Sequence, residues 1–295
     1  MLTGVAPTDH LRSAGVPTAE AVMARAAGEN FPVAGRLLPG QVREDLLAIY
    51  GFARLVDELG DAVSGDRPAA LDWLEGELDR AFGGEAEHPL LVRLQPALGR
   101  GRLTRDPFVR LIDANRMDQR VHSYETWEQL RGYCELSANP VGELVLAVFG
   151  LATPERIDLS DSICTGLQLV EHCQDVAEDL AVGRVYLPQE DLDRFGCSRE
   201  QLAESHAGGP LRQVLAFELA RARGLFDRGA PLIGLLRGRP KLAVAAFVAG
   251  GRSAAGAVER AGYDVLTGPP KASRGRLLAA LARTLVQQHR REEPA

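Results

Sequence analysis

Apolar residues recur three and four positions apart along most of this chain from Thr18 onward. That spacing gathers them on one side of an α-helix. Within Val42–Val63, the residues Val42, Leu46, Ile49, Tyr50, Ala53, Val56 and Leu59 follow it, and Pro39-Gly40 just ahead is a breaker that marks a start. The same periodicity predicts helices over roughly 69–82, 89–98, 106–117, 126–150, 160–181, 211–236, 241–262 and 273–289, separated by clusters of Gly, Pro and Asp. No run alternates apolar and polar residues well enough to predict a strand. Nine helices without a sheet predict an all-α bundle. The connections are mostly short and no fixed-period repeat is present, so one helical domain over 18–289 is the economical reading, with 1–17 and 290–295 as frayed ends. The single long irregular stretch, about 182–200, follows an acidic helix end. Loops carried on a rigid helical frame often hold function.

Composition narrows the function classes. The chain has 295 residues, 45% hydrophobic and 25% charged, the balance of a globular protein. A formal net charge of −6 argues against nucleic-acid partners, whose phosphates demand clustered Lys and Arg. An anionic substrate would need local cations or a metal. Cys134, Cys164, Cys173 and Cys197 show no C-x-x-C spacing and no paired His, so they read as reduced thiols of a cytoplasmic protein. The N-terminus lacks the basic and apolar regions of a secretory signal. The apolar stretches Leu144–Ala152 and Leu242–Ala249 are far shorter than the roughly 18 to 20 residues of a membrane span. Peripheral contact with the inner face of a membrane stays open, because an amphipathic face can serve a core or a bilayer surface.

Two acidic clusters carry the candidate chemistry: Asp57-Glu58-Leu59-Gly60-Asp61 and Asp175-Val176-Ala177-Glu178-Asp179. Residues four apart lie one helical turn above each other, so Asp57/Asp61 and Asp175/Asp179 each point two carboxylates the same way. At roughly 6 Å and an effective dielectric near 20, such a pair repels by about 3 kcal/mol, less where solvent screens it. A single pair of this kind is usually solvated charge on a helix surface. Here each cluster ends a strongly apolar segment, which would put its carboxylates at the mouth of the core. Hard oxygen ligands suit Mg²⁺, which commonly bridges one or two protein carboxylates to substrate phosphates. Arg54 would share the helix face of Asp57, with a local ion pair as its plainer role. His172 reads as a helix surface or core residue, Cys173 as a packing residue, and Trp73 and Trp127 as fillers of gaps between helices.

Tyr50-Gly51-Phe52-Ala53-Arg54 followed by Asp57-Glu58-Leu59-Gly60-Asp61 resembles the first aspartate-rich signature of the squalene/phytoene synthases. Gln168-Leu169, Gln174-Asp175-Val176-Ala177-Glu178-Asp179 and Gly183-Arg184-Val185-Tyr186-Leu187-Pro188 resemble the second signature and its flap loop. Phe31, Leu37-Leu38-Pro39, Arg43, the segment Tyr133-Cys134 to Val141-Gly142, and Ala261-Gly262-Tyr263 match in the same order, so the resemblance covers about 28–265. It implies the isoprenoid synthase (class I terpenoid synthase) fold, an all-α bundle in which two Asp-rich helices face each other across a deep apolar cavity. It further implies an enzyme acting on a prenyl diphosphate with Mg²⁺. By the resemblance, Asp57, Asp61, Asp175 and Asp179 hold the metal with Glu58 and Glu178 in support. Arg54, Tyr50, Arg184 and Tyr186 contact or close over the diphosphate, and Phe31, Tyr133, Ala138, Val141, Gly142, Leu167 and Gln168 line the cavity.

Within the family, Glu29-Asn30-Phe31-Pro32-Val33, Leu37-Leu38-Pro39, Ser137-Ala138-Asn139-Pro140-Val141-Gly142 and Gly250-Gly251 are similar to the hydroxysqualene synthases of bacterial hopanoid biosynthesis. That branch implies ionisation of presqualene diphosphate, rearrangement and capture by water, with neighbouring enzymes of the hopanoid pathway as partners. Glu171 and Gln174 stand where head-to-head synthases often have Asn and Arg, which weighs against full condensation of two prenyl diphosphates. Gly251 stands where related enzymes can carry Tyr, suggesting a differently shaped or wetter pocket, and a wetter one would suit capture by water. Head-to-head condensation to presqualene diphosphate, squalene or phytoene is the alternative enzyme reading. A non-catalytic helical scaffold is the alternative of another class, and the intact acidic pairs count against it.

Overall fold

The computed structural model of the protein describes residues 17–20, 22, 38–62 and 65–292, with side chains as far as 287. It is 75% helical and has no strand among the described residues, which is the all-α architecture that the periodicity predicts. In chain order the helices are α1 (Gly40–Asp57), α2 (Arg67–Gly83), α3 (Pro89–Leu98), α4 (Arg105–Asp118), α5 (Trp127–Ser137), α6 (Asn139–Val148), α7 (Pro154–Gln174), α8 (Val176–Ala181), α9 (Gln189–Arg194), α10 (Gly209–Gly229), α11 (Pro231–Leu235), α12 (Gly238–Arg260) and α13 (Arg274–Glu292). Several of the expected helix boundaries need correction. The first helix widens into a π-turn over Glu58–Ala62. The expected 126–150 helix breaks at Ala138, where Pro140 lacks an N–H and its ring would clash with the carbonyl four residues back. The 160–181 helix starts at Pro154 and breaks at Asp175, although no proline or glycine lies there. The 211–236 helix breaks before Pro231 for the same reason as the break at Pro140. The stretch 182–200, expected to be irregular, contains α9 and leads into a 3₁₀ turn at Arg199–Ala203, and α13 continues through Arg290 to Glu292.

Local chemistry explains several of these limits. Asp66 caps α2 by accepting from Ala69 N–H at 3.0 Å, and Gly84 ends that helix at φ 83°. Thr126 and Thr153 cap α5 and α7 in the same way, accepting from Gln129 and Arg156 N–H.

The described backbone forms two compact units, one made of residues up to Arg120 together with Glu143–Ala152, the other of Val121–Gly142 together with Thr153 onward. In the first, α1 packs on α3 and α4, and the core centres on Phe52 set edge-on to Phe108 with ring centroids 5.0 Å apart. In the second, α7 runs along α10, and α12 packs on α13 and α7 around the fully buried Phe226. Helix α12 has the length and composition of a membrane span, yet half of its most apolar window is buried inside the protein, as in the core helix of a globular domain. Trp73 meets His88 edge-on, while Trp127 lies under the Arg221 guanidinium at 4.6 Å.

A buried polar cluster ties α9 to α10. Arg221 donates to Asp191 at 2.9 Å and to both carboxylate oxygens of Glu218 at 2.5 and 2.6 Å. Two carboxyls share one cation where solvent hardly reaches: Glu218 is 0% and Asp191 3% exposed. Burial first, and then the hydrogen bond to Asp191, push the Glu218 carboxyl up to about 8 despite Arg221. The folded state therefore holds this proton more tightly than the unfolded chain, whose Glu218 titrates near 4.5. The stability it contributes is fully present below the unfolded value and is lost as pH rises towards about 8. Glu218→Gln is expected to remove that loss, which is on the order of 1 kcal/mol per pH unit. Urea unfolding of both proteins from pH 5 to 8 should show the variant gaining on the wild type as pH rises; a constant difference would exclude the shared proton.

Candidate active site

Each acidic turn is built within its own unit. In the first, α1 carries Tyr50 and Arg54, both half-buried, and delivers Asp57 to the start of the π-turn. Arg54 Nη1 lies 3.5 Å from Asp57 Oδ2, the local ion pair that its spacing suggests. Asp57 and Glu58 are half-buried and Asp61 is exposed. A π-turn carries an extra residue and disturbs the regular helical ladder, and such turns are frequent at functional sites. Here Gln119 donates to the Gly60 carbonyl at 3.0 Å and Arg67 to the Asp61 carbonyl at 2.9 Å. Asn115 fills the space above Gly60 and brings its Nδ2 to 3.5 Å from Asp57 Oδ1. Neither Asn115 nor Gln119 was singled out from sequence. The signal for Asn115 was present, because it continues the buried stripe Phe108, Leu111, Ile112 of α4 as a polar residue, 8% exposed, at an apolar position.

In the second unit Asp175 sits at the junction of α7 and α8, and Asp179 follows one turn later, its N–H donating to the Asp175 carbonyl at 2.8 Å. Burial raises the Asp179 carboxyl to about 7, helped by Asp175, Glu171 and Glu178 and opposed by Arg184. Asp175 is raised too, by burial and by Glu178. Glu171 thus adds negative charge to this turn, as its position predicts. Gln174 instead donates its carboxamide to the Pro270 carbonyl at 2.7 Å. Among the described residues no group of three or more His, Cys, Asp or Glu side chains gathers into a protein-only metal cage. The donor chemistry still fits a hard divalent ion held by one or two carboxylates per turn, the arrangement by which Mg²⁺ is shared with substrate phosphates. Such an ion would also offset the burial and the repulsion that raise Asp175 and Asp179.

Beside this turn four rings stack. Tyr186 lies parallel to His172 at 3.9 Å and near-parallel to Tyr124 at 5.9 Å, with Tyr133 tilted against it at 5.4 Å. His172 is a core residue, as expected; burial lowers it to about 3 and keeps it neutral, with Gln168 Nε2 at 3.4 Å from its Nε2. The flap residues around Tyr186 are anchored by backbone bonds, Val185 N–H to His122 carbonyl and Gln189 N–H to Tyr124 carbonyl, both 2.8 Å. Asp179, Arg184, Tyr186 and His172 border a crevice of only about 10 Å³, room for no more than one water. Tyr124 was missed from sequence, since its pairing with the flap depends on a contact between distant segments.

The remaining predicted residues divide between packing and surface. Ala138 and Tyr133 are buried, and Val141, Gly142, Leu167 and Gln168 are half-buried. Gly142 is set by close approach: a Cβ there would meet Ser160 Oγ at 2.3 Å and Cys164 Sγ at 2.6 Å. Asn139 just before it accepts from Thr165 at 3.0 Å. Gly251 does not open a wetter pocket, because the Phe226 ring and Leu167 already occupy the place its side chain would take. Cys173 is fully buried. Phe31 and Leu37 lie outside the described residues.

This helical fold is that of the isoprenoid synthases. The structure of squalene synthase HpnC from Alicyclobacillus acidocaldarius superposes with a TM-score of 0.77 at 44% identity, covering 83% of this chain and 93% of that one. A dehydrosqualene synthase superposes with a TM-score of 0.81 at 22% identity, covering 96% of this chain and 99% of that one, which shows the shared fold. The chain is 36% identical to the hydroxysqualene synthase of Rhodopseudomonas palustris over 69% of its length and 70% of the relative's. It is 32% identical to the 15-cis-phytoene synthase of Synechococcus elongatus over 80% and 82% of the two chains. The squalene/phytoene synthase profile matches residues 24–276. The chain belongs to the squalene/phytoene synthase family, enzymes that process prenyl diphosphates.

Gly60→Ala tests the first turn. Its Cβ would sit 2.0 Å from Asn115 Oδ1, so Asn115 must withdraw from Asp57. Turnover of a prenyl diphosphate should fall roughly 10- to 100-fold, as expected where a carboxylate that would hold a metal loses an orienting neighbour, while the helical circular dichroism stays at the wild-type level. Wild-type turnover would show that Asn115 does not position Asp57.

Proposed function

We propose that this protein is a hydroxysqualene synthase, with 18–289 acting as one catalytic domain in the cytoplasm. It takes presqualene diphosphate and water to hydroxysqualene and diphosphate. Its chief support is the second turn, where Asp175 and Asp179 stand one helical turn apart with Glu171 and Glu178 nearby, in a family of prenyl diphosphate enzymes. Relatives named hydroxysqualene synthase, from Rhodopseudomonas palustris and Zymomonas mobilis, support the branch.

Asp57, Asp61, Asp175 and Asp179, with Glu58 and Glu178 in support, would hold Mg²⁺, which when bound neutralises the diphosphate and stabilises charge on the departing group. Arg54 and Tyr50 from α1, with Arg184 and Tyr186 from the flap, orient the diphosphate and close over it. The carbon–oxygen bond breaks with both electrons leaving on the diphosphate. The cyclopropylcarbinyl cation left behind rearranges, water adds to the product cation, and that water loses a proton. Phe31, Tyr133, Ala138, Val141, Gly142, Leu167 and Gln168 would line the chamber and exclude stray water. Peripheral contact with the inner face of the membrane, and with neighbouring enzymes of the hopanoid pathway, would suit a substrate this apolar.

Head-to-head condensation of two prenyl diphosphates is the second reading, favoured by the phytoene synthase relative. The engagement of Gln174 with the Pro270 carbonyl counts against it, since that side chain is already committed and brings no positive charge. Purified protein with Mg²⁺ and presqualene diphosphate should yield hydroxysqualene in the lipid extract; consumption of farnesyl diphosphate alone would reject the proposal. Asp57→Asn and Asp175→Asn should each lower turnover by roughly a hundredfold or more. Full activity in both variants would assign the acidic turns no catalytic part.

A further inference from the structure

Outside the acidic turns, a second polar cavity of about 520 Å³ opens among α10, α12 and α13. Arg252, Arg260, Arg276 and Arg283 line it, against one carboxylate, Asp227. Asp227 is already engaged, since Arg252 Nη2 lies 2.5 Å from its Oδ1. Arg260, Arg276 and Arg283 have no carboxylate partner among the described residues. Four arginines and one aspartate leave a formal charge of +3 around the cavity in a protein whose net charge is −6.

Its wall also holds an unmet hydrogen-bonding group. Ser253 is 7% exposed, lines the cavity from α12, and its Oγ has no hydrogen-bond partner among the described residues. A buried hydroxyl left without a partner costs free energy and calls for a ligand, ion or water. Guanidinium groups bind phosphoryl oxygens through paired parallel hydrogen bonds, which an ammonium group does not offer. None of the residues proposed for the prenyl diphosphate lines this cavity.

We infer that this cavity is a second anion site, one that takes a phosphoryl group held by Arg260, Arg276 and Arg283 with Ser253 donating from the wall. Two sources present that chemistry, free diphosphate and the headgroup of an anionic phospholipid. The full-length protein is titrated with inorganic diphosphate by calorimetry in the presence of EDTA, so that no metal-dependent binding contributes. In parallel it is floated with vesicles of phosphatidylglycerol or of phosphatidylcholine. Saturable diphosphate binding, weakened roughly tenfold or more in Arg276→Gln/Arg283→Gln, supports the site with a soluble ligand. Flotation with phosphatidylglycerol alone, lost in the same variant, supports it with a lipid headgroup. Arg237→Gln/Arg239→Gln, which neutralises exposed arginines outside the cavity, should change neither result, and Ser253→Ala should weaken whichever binding is seen. Equal behaviour of wild type and Arg276→Gln/Arg283→Gln in both arms, or binding in neither, overturns the inference. These readouts need no turnover, so they hold whether or not presqualene diphosphate is the substrate.

Discussion

Burial of Asp175 and Asp179, compounded by the neighbouring carboxylates Glu171 and Glu178, is the constraint on which the second acidic turn depends. Arg184 alone does not bring Asp179 back to its ordinary range. Divalent cations would do so, and would at the same time give the turn its affinity for a diphosphate. In the first turn Asp61 is exposed to water, and Asp57 has Arg54 and Asn115 beside it.

Around the second turn the packing is aromatic and tightly tied. The flap gains its place from backbone bonds to residues 122–125, and Tyr186 gains its place from the rings of His172, Tyr133 and Tyr124. A neutral imidazole serves in that stack because a charged one would have to give up its hydration inside a dry wall. The polar cluster of Arg221, Glu218 and Asp191 performs a related structural task on the far end of the flap, fixing α9 to α10 with a retained proton.

Much of this was legible in the residues. The helical period located most of the helices, and the two D-x-x-x-D turns, in order with their flanking motifs, identified the family that the comparisons establish. The helix breaks were less legible. Pro140 and Pro231 could have been read as interruptions, but the break at Asp175 has no proline or glycine beside it, and Gly60 inside Glu58–Ala62 does not by itself signal a π-turn. Gly251 misled for a similar reason, because an absent side chain says nothing about which neighbour fills the gap, and here Phe226 does.

The sequence by itself determined the helical class, the family, and the two acidic turns, because helix periodicity and the direction of side chains four apart are local properties of the chain. Only the tertiary structure decided that Asn115 supports Asp57, that Tyr124 joins His172 and Tyr186, and that Arg260, Arg276 and Arg283 border one cavity without carboxylate partners among the described residues. Those relations join positions that no local pattern connects. Burial and distance, not spacing along the chain, set the charge a side chain meets and the partner it finds.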